Sequence, residues 1–175
     1  MNEHERLGEL IANDRWRMGV LRMVSDLGLP EGFVTGDFVR HLVWDHLHNR
    51  PMTPLSSVDV IYFDPTRTDE VIDINLVQEL SMRSPKKTWS VENAARWSPA
   101  PPSIEAAIRQ GPETASAVAV AVDDRDQLTI IDPFGLDDLF AGIIRPVEVA
   151  RATDVEARIQ KKRWLKLYPQ LKVEK

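Results

Sequence analysis

The sequence predicts one α/β domain, built from a small mixed sheet with flanking helices. Apolar residues recur three and four positions apart from Phe38 to Leu47, and this spacing is typical of one helix face. The β-branched and aromatic residues from Val58 to Phe63 indicate a strand instead. The chain has 175 residues and 43% hydrophobic content, and a domain of that size buries roughly 70% of its unfolded surface. We therefore expect a single domain over residues 1–175 with its own hydrophobic core.

The N-terminal region is predicted to be helical within residues 1–28. Its apolar stripe runs over residues 5–27 and is interrupted near Asp14. Gly28 ends this helix, and a proline two residues later prevents its continuation. A short strand over residues 33–35 follows, and Gly36 then opens the next helix.

Further helices and strands follow along the chain. Asp69 is predicted to cap a helix that leads into a second strand at residues 88–93. Residues 114–122 and 128–131 are β-rich runs joined by a polar turn, which indicates an antiparallel hairpin. The last helix is expected to begin near Asp154 and to lead into a basic tail, so that the basic C-terminal helix and tail together occupy the stretch up to residue 175.

Gly36 and Asp59 mark the candidate site. A helix that starts directly after a strand directs unpaired backbone N–H groups at the turn, and these donors attract an anion such as phosphate. Asp59 is a carboxylate inside an apolar strand, where an unpaired charge is unfavourable. It therefore needs a cation, a hydrogen-bond donor or solvent opposite it. An ion pair with Arg40 is the structural alternative to a functional role.

Composition narrows the classes of function. The chain contains no cysteine, which excludes disulfides and thiolate metal sites. It has neither an apolar run long enough for a membrane span nor a signal peptide, so we expect a cytoplasmic location and no membrane partner. The formal net charge of −5 argues against indiscriminate nucleic-acid binding. The exception is the basic segment of residues 158–175, in which Trp164 and Tyr168 are interleaved; it predicts either RNA contact or a solvated terminal helix.

Two long motifs resemble the head domain of tRNA CCA-adding enzymes and bacterial poly(A) polymerases. The first motif of that head is Gly-Gly-x-Val-Arg-Asp followed by Asp-x-Asp, and the second begins Asp-Pro-Phe-Gly-Gly. This chain matches them at Gly36, Val39, Arg40, Arg50-Pro51 and Asp59, and again over residues 131–139 and 141–145.

The resemblance to small single-domain bacterial nucleotidyltransferase-like proteins related to that head is closer still. It covers roughly residues 16–171 and implies a polymerase-β-type nucleotidyltransferase fold. The matching segments are Trp44-Asp45-His46, residues 60–64, residues 89–93, residues 112–115 and residues 135–140.

This resemblance implies transfer of a nucleotidyl group from a nucleoside triphosphate, with Mg²⁺ as the cofactor. Asp59 and Glu92 are the candidate catalytic carboxylates, and Asp59 and Asp37 are the candidate metal ligands. The candidate nucleotide-binding residues are Gly36, Asp37, Arg40, Ser57, Asn93 and Arg96. For Arg96, an ion pair with a nearby acid is the alternative to a contact with phosphate.

Two departures from the motif bear on activity. Catalytic members have Asp-x-Asp where this chain has Ser57-Val58-Asp59, and hard cations prefer charged oxygen ligands to a hydroxyl. Asp37 stands where the motif has its second glycine, so it either replaces the missing metal ligand or fills the anion site. Two hypotheses stay open: Mg²⁺-dependent nucleotidyl transfer to an unknown acceptor, or a catalytically impaired domain that binds a nucleotide or a partner.

Overall fold

A computed structural model describes all 175 residues as helices, strands and short connections. The strands are β1 (Phe33–Thr35), β2 (Val58–Tyr62), β3 (Trp89–Asn93), β4 (Ala119–Val122), β5 (Leu128–Ile131), β6 (Ile143–Ile144) and β7 (Lys172–Val173). The helices are α1 (Glu3–Ala12), α2 (Arg15–Ser25), α3 (Asp37–Leu47), α4 (Glu70–Arg83), α5 (Ile104–Arg109), α6 (Asp137–Ala141), α7 (Ala152–Lys162) and α8 (Trp164–Leu167).

The main sheet has five strands in the order β3-β2-β1-β4-β5, with β1 in the middle. β1 is antiparallel to both β2 and β4, whereas β2 and β3 are parallel. A parallel pair needs a crossover connection, and α4 supplies it between β2 and β3. β4 and β5 form the predicted antiparallel hairpin, but its first strand begins only at Ala119, and Thr114–Ser116 form a 3-10 helix instead of strand. The predicted mixed sheet with flanking helices is confirmed.

The two faces of the sheet differ in what covers them. Val58, Val60 and Tyr62 of β2 point into the larger of two hydrophobic clusters, which contains 30 buried residues. Ile61 belongs to the second cluster of eight residues on the opposite face, and Asp59 lies on that face too. Successive side chains of β2 therefore alternate between the two faces of the sheet. The thinner cover of the second face leaves room for a cleft above Asp59.

The N-terminal region contains two helices where a single one was expected. Asp14, the point at which the apolar stripe is interrupted, caps α2 by accepting a hydrogen bond from the backbone N–H of Arg17 at 2.9 Å. An N-cap side chain competes with continued helix for backbone donors, so the chain breaks there. Leu7 and Ile11 of α1 and Leu21 of α2 are nonetheless buried in the core, as the stripe predicts.

The C-terminal segment also differs from the expectation. α7 begins two residues before Asp154 and ends at Lys162, after which Arg163 takes a left-handed conformation with φ of 55°. The tail then forms α8 and β7, and β7 pairs in parallel with β6. The longest helix, α4, has 14 residues, and no helix has the length and apolar character that a membrane crossing requires.

The aromatic residues of this segment belong to the core. Trp164 and Tyr168 are both 0% exposed, and their ring centroids lie 5.4 Å and 5.5 Å from that of Trp44. Edge-to-face packing of this kind stabilises a core. Neither alternative considered for this segment describes the two rings: they are neither solvated nor available to stack on RNA bases, because both are buried in the core.

Candidate functional site

Gly36 and Asp59 meet where β1 turns into α3. Thr35, the last residue of β1, pairs with Asp59 across the sheet. Gly36 follows with φ of 73°, and a Cβ placed on it would lie 2.9 Å from Oδ2 of Asp59. Only a glycine accepts both the backbone conformation and this close approach. α3 begins at the next residue without a side-chain cap. The N-terminal end of the helix and the carboxylate of Asp59 therefore lie side by side, because Gly36 connects the strand to the helix.

A cleft of about 490 Å³ opens above this junction. Its floor is made by the end of β1 and by residues within β2 and β3, and α5 and the turn that follows it also line it. α7 contributes two cations, Arg158 and Lys162. A volume in this range accommodates a nucleotide-sized ligand.

Asp59 and Glu92 are the two carboxylates that line the cleft. Asp59 lies opposite Ser90 of β3, and Glu92 follows two residues later on the same face of the sheet. Oδ1 of Asp59 accepts a hydrogen bond of 2.6 Å from Oγ of Ser57. Oε1 of Glu92 accepts one of 2.8 Å from Nε1 of Trp97. The structural alternative for Asp59, an ion pair with Arg40, is absent.

The oxygen atoms of this floor fit one hard cation better than two. Mg²⁺ is commonly held by one or two carboxylates together with phosphate oxygens and water, and Asp59 with Glu92 offers that set. Nowhere in the chain do three or more histidine, cysteine or acidic side chains form a group suited to a metal ion. Ser57 occupies the position at which a second neighbouring carboxylate would complete a two-metal arrangement.

Asp37 lies beneath the cleft, in a buried ion-pair cluster. Its Oδ1 accepts a hydrogen bond from the guanidinium of Arg40, and its Oδ2 lies 3.0 Å from Nζ of Lys162. Burial opposes ionisation of this carboxyl, but Arg40, His41 and Lys162 outweigh it and lower its pKa to about 2. Because both oxygens are engaged by these cations, the geometry gives no support to Asp37 as a metal ligand beside Asp59.

Arg40 reaches the cleft, but its guanidinium is already bound. It donates to Asp37 and to Oγ of Ser116, and its side chain is only 2% exposed. Burial is also the main reason why the pKa of the neighbouring His41 falls to about 4. His41 is therefore neutral at pH 7, and Arg40 carries the fixed positive charge below the cleft.

Glu113 is the second buried acid of this region, with 0% exposure. Arg158 donates to its two oxygens at 2.8 Å and 3.1 Å, and Ser116 donates to it as well. Arg40 lies 3.8 Å away. A two-pronged contact with a carboxylate fixes the plane of a guanidinium, so Glu113 holds Arg158 in place at the edge of the cleft.

Asn93 and Arg96 lie outside the cleft, contrary to their assignment as nucleotide ligands there. Asn93 is 0% exposed, and its amide group donates to the carbonyl oxygens of Asp64 and Arg67 at 2.9 Å and 3.0 Å. Arg96 pairs with Asp73, which is the alternative considered for it. The physical reason is local: Asn93 holds the loop that follows β2, and Arg96 connects the turn after β3 to α4 through Asp73.

Four residues of the site were not identified from the sequence: Glu113, Ser116, Arg158 and Lys162. Arg158 and Lys162 are four positions apart, which places them on one face of a helix. That spacing signals a shared face but not what the face contacts. Glu113 is 45 residues from Arg158, and no pattern within either segment connects them.

The fold and the cleft together define a class of protein. A mixed sheet that places a glycine turn, a helix start and a strand carboxylate at the edge of a cationic cleft is the framework of a nucleotidyltransferase. The family model described as "Nucleotidyltransferase" matches residues 22–173. The chain therefore belongs to the nucleotidyltransferase family.

Solved structures confirm the fold. A structure described as revealing a CCA-adding enzyme head domain by NMR is 24% identical, with a TM-score of 0.82, and the match covers 99% of this chain and 96% of that chain. The Thermotoga maritima CCA-adding enzyme in complex with tRNA is 17% identical, with a TM-score of 0.65, and the match covers 97% of this chain. A CCA-adding enzyme in complex with CTP is 18% identical, with a TM-score of 0.65, and the match covers 100% of this chain. A comparison with curated proteins found no match.

This chain is similar to only part of those larger enzymes. It covers 42% of the length of the Thermotoga maritima protein and 44% of the enzyme in complex with CTP. The similarity is therefore to the head of such enzymes, in agreement with the resemblance found in the motifs.

Proposed function

We propose that this protein binds a nucleoside triphosphate in the cleft and transfers its nucleotidyl group to an acceptor hydroxyl in a Mg²⁺-dependent reaction. The observation that carries the proposal is the contact between Gly36 and Asp59. It brings an anion-binding helix start and a cation-binding carboxylate to the same cavity. Neither feature alone would define a nucleotide site.

The phosphates of the nucleotide would lie over the turn at Gly36. The first backbone N–H groups of α3 point out of the helix there, and they favour an anion. Arg158 lies at the edge of the same cleft with a side chain that is 34% exposed, so a ligand can reach it. Arg40 contributes its positive charge without a free terminal nitrogen, since its Nη1 and Nη2 donate to Ser116 and Asp37 and its Nε is buried without a partner.

Asp59 and Glu92 would hold the magnesium ion together with phosphate oxygens. When bound, the ion neutralises charge that develops on the departing pyrophosphate. In the transfer itself, an acceptor hydroxyl attacks the α-phosphorus and releases its proton to water, the bond from that phosphorus to the oxygen of the β-phosphate breaks, and pyrophosphate leaves. The protein residues contribute orientation: Ser57 fixes the carboxylate of Asp59, and Trp97 fixes that of Glu92.

A catalytically impaired nucleotide-binding domain is the second candidate. One observation favours it. Ser57 stands at the position where catalytic proteins with this motif have a second carboxylate, and its hydroxyl hydrogen-bonds to Asp59. Under this hypothesis the cations of the cleft would bind the phosphates without a requirement for Mg²⁺, and no transfer would follow. The neighbouring CCA-adding enzymes have structures with tRNA, CTP and ATP. Of these partners, we propose only a nucleoside triphosphate for this chain, and we assign no acceptor.

Calorimetric titration with ATP, CTP, GTP and UTP, each with and without Mg²⁺, distinguishes these candidates. Binding that requires Mg²⁺ and is abolished in Asp59→Asn supports transfer. Equal binding without Mg²⁺ supports the second candidate. Asp124→Asn is the matched control, because Asp124 is exposed in the turn between β4 and β5 and lies away from the cleft. Failure of all four nucleotides to bind the wild-type protein would refute both.

A further inference from the structure

We propose that Lys162 recognises the phosphates beyond the α-phosphate, by exchanging its ion pair with Asp37 for one with a bound triphosphate. The cleft would thereby discriminate nucleoside triphosphates from monophosphates. This inference rests on the proposed nucleotide binding and adds a residue and a selectivity to it. Lys162 comes from the last long helix, not from the glycine turn or from the sheet.

The two cations of α7 differ in how firmly they are held. Arg158 makes two hydrogen bonds to buried Glu113, so its guanidinium is fixed. Lys162 makes a single hydrogen bond, of 3.0 Å to Oδ2 of Asp37, with its ammonium 6.0 Å from the ring centroid of Trp164, and 31% of its side chain is exposed at the cleft. A lysine ammonium on a flexible four-carbon chain changes partners more readily than a forked guanidinium. Lys162 is therefore the movable cation of this pair.

Asp37 does not depend on Lys162 for its charge balance. Its other oxygen, Oδ1, accepts a hydrogen bond from Arg40, which is almost completely buried. When Lys162 leaves, the carboxylate keeps this stronger and better protected partner. Lys162 itself is partly exposed at the cleft, so water or a bound phosphate can solvate its ammonium group once it leaves Asp37.

The charges around Lys162 favour an incoming anion. Arg40, Arg158 and Lys162 exceed the two buried acids that they contact, Asp37 and Glu113, by one positive charge. Asp59 and Glu92 add two negative charges on the strand side of the same cleft, where the proposed Mg²⁺ would offset them. His41 adds none at pH 7, because its pKa is lowered to about 4 by burial. The whole chain carries a formal net charge of −5. A local positive excess on an acidic protein guides a highly charged anion to that place.

The chemistry of the ligand follows from this arrangement. The α-phosphate would lie near Asp59, where transfer takes place, and the remaining phosphates would extend toward α7. A monophosphate carries less negative charge and has no group to reach Lys162. A charge-assisted hydrogen bond from an ammonium group to phosphate changes affinity by about tenfold or more. Lys162 would therefore contribute mainly to the binding of triphosphates.

The test compares Lys162→Met with Lys161→Met, using calorimetry on the full chain. The probes are the nucleoside triphosphate that wild type binds most tightly and the matching monophosphate. Lys161 is exposed, belongs to the same helix and does not line the cleft, so its variant makes the same change of charge elsewhere. We expect Lys162→Met to weaken triphosphate binding at least tenfold and monophosphate binding less than threefold. Lys161→Met should match wild type for both.

Two further outcomes complete the test. Lys162→Arg keeps the charge and should retain most of the triphosphate affinity, which separates loss of the cation from damage to the fold. Equal losses for both probes in Lys162→Met, or no loss at all, would overturn the inference while leaving nucleotide binding intact. If wild type binds no nucleotide, the proposed function fails, and this inference fails with it.

Discussion

A Cβ on Gly36 would stand 2.9 Å from Oδ2 of Asp59, closer than real Cβ contacts come. The turn that starts α3 and the carboxylate of β2 are therefore packed against one another. A side chain at residue 36 would displace the carboxylate of Asp59. This contact connects the backbone donors of the helix start to the acid of the sheet. It also makes the glycine a direct test of the site.

Gly36→Ala should destabilise the protein by about 2 kcal/mol, because an alanine is strained at positive φ and its Cβ would press on Asp59. Nucleotide binding should be lost as well, since the carboxylate must move. Gly19→Ala, at an exposed position of α2, is the control: a Cβ there meets nothing within 4 Å, and helix propensity predicts a gain of up to about 1 kcal/mol. Urea denaturation measures both, and equal stability of the two variants would contradict the account.

Ser57→Asp should raise the affinity for Mg²⁺ about tenfold, which corresponds to roughly 1.4 kcal/mol. The hydroxyl of Ser57 is already 2.6 Å from Oδ1 of Asp59, so a carboxylate in its place would face the same cation. Without metal the two acids repel one another, and the variant should unfold at a lower temperature that Mg²⁺ restores. Ser56→Asp adds the same charge at an exposed neighbouring position. If both variants respond equally to Mg²⁺ in thermal unfolding, the position of Ser57 has no special role.

Glu113→Gln should cost about 3 kcal/mol of stability, because it leaves buried Arg40 and the guanidinium of Arg158 without their shared acid. The matched control is Glu105→Gln, which removes an exposed ion pair with Arg109 at 3.8 Å and should change stability by no more than about 0.5 kcal/mol. Chemical denaturation at pH 7 provides the comparison. A small effect of Glu113→Gln would show that water solvates the two guanidinium groups in place of the acid, and that water reaches this cluster despite its low solvent exposure.

The protein should lose stability in mild acid through His41. Burial lowers its pKa from 6.5 to about 4, so between these values the unfolded chain binds a proton that the folded chain does not. The free energy of unfolding therefore falls as the pH decreases from about 6.5 to 4, by roughly 3 kcal/mol from this residue. Asp37 adds a further loss below pH 3.8, because its folded pKa is held at about 2.

Denaturation curves at pH 7, 6, 5 and 4.5 measure this dependence. His41→Gln should flatten the slope between pH 6.5 and 4.5, since its side chain does not titrate. His46→Gln is the control, because His46 is exposed on the same helix and should leave the slope unchanged. A wild-type slope that persists in His41→Gln would assign the acid sensitivity to other groups.

Local patterns in the sequence were sufficient for most elements and for the centre of the site. The apolar spacing of α3 and the β-branched run of β2 predicted these two elements, and Phe38, Val39 and Val43 lie in the core. The same helix also buries Arg40, His41 and Asp45, which its apolar spacing does not indicate. The turn at Gly36 could be predicted because a strand, a glycine and a helix follow one another directly. Asp14 was recognised as a break in the stripe but not as the cap of a second helix, since an isolated interruption and a new N-cap look alike in sequence.

The sequence by itself determined the fold class, the family and the two residues at the centre of the cleft, because these depend on periodicity and on motifs that are continuous in the chain. Only the tertiary structure decided which charges surround that centre. It brought Lys162 to Asp37 across 125 residues and used Asn93 and Arg96 in contacts outside the cleft. A buried charge takes whichever partner the packing of the helices and the sheet brings within reach, and that choice is made in space, not along the chain.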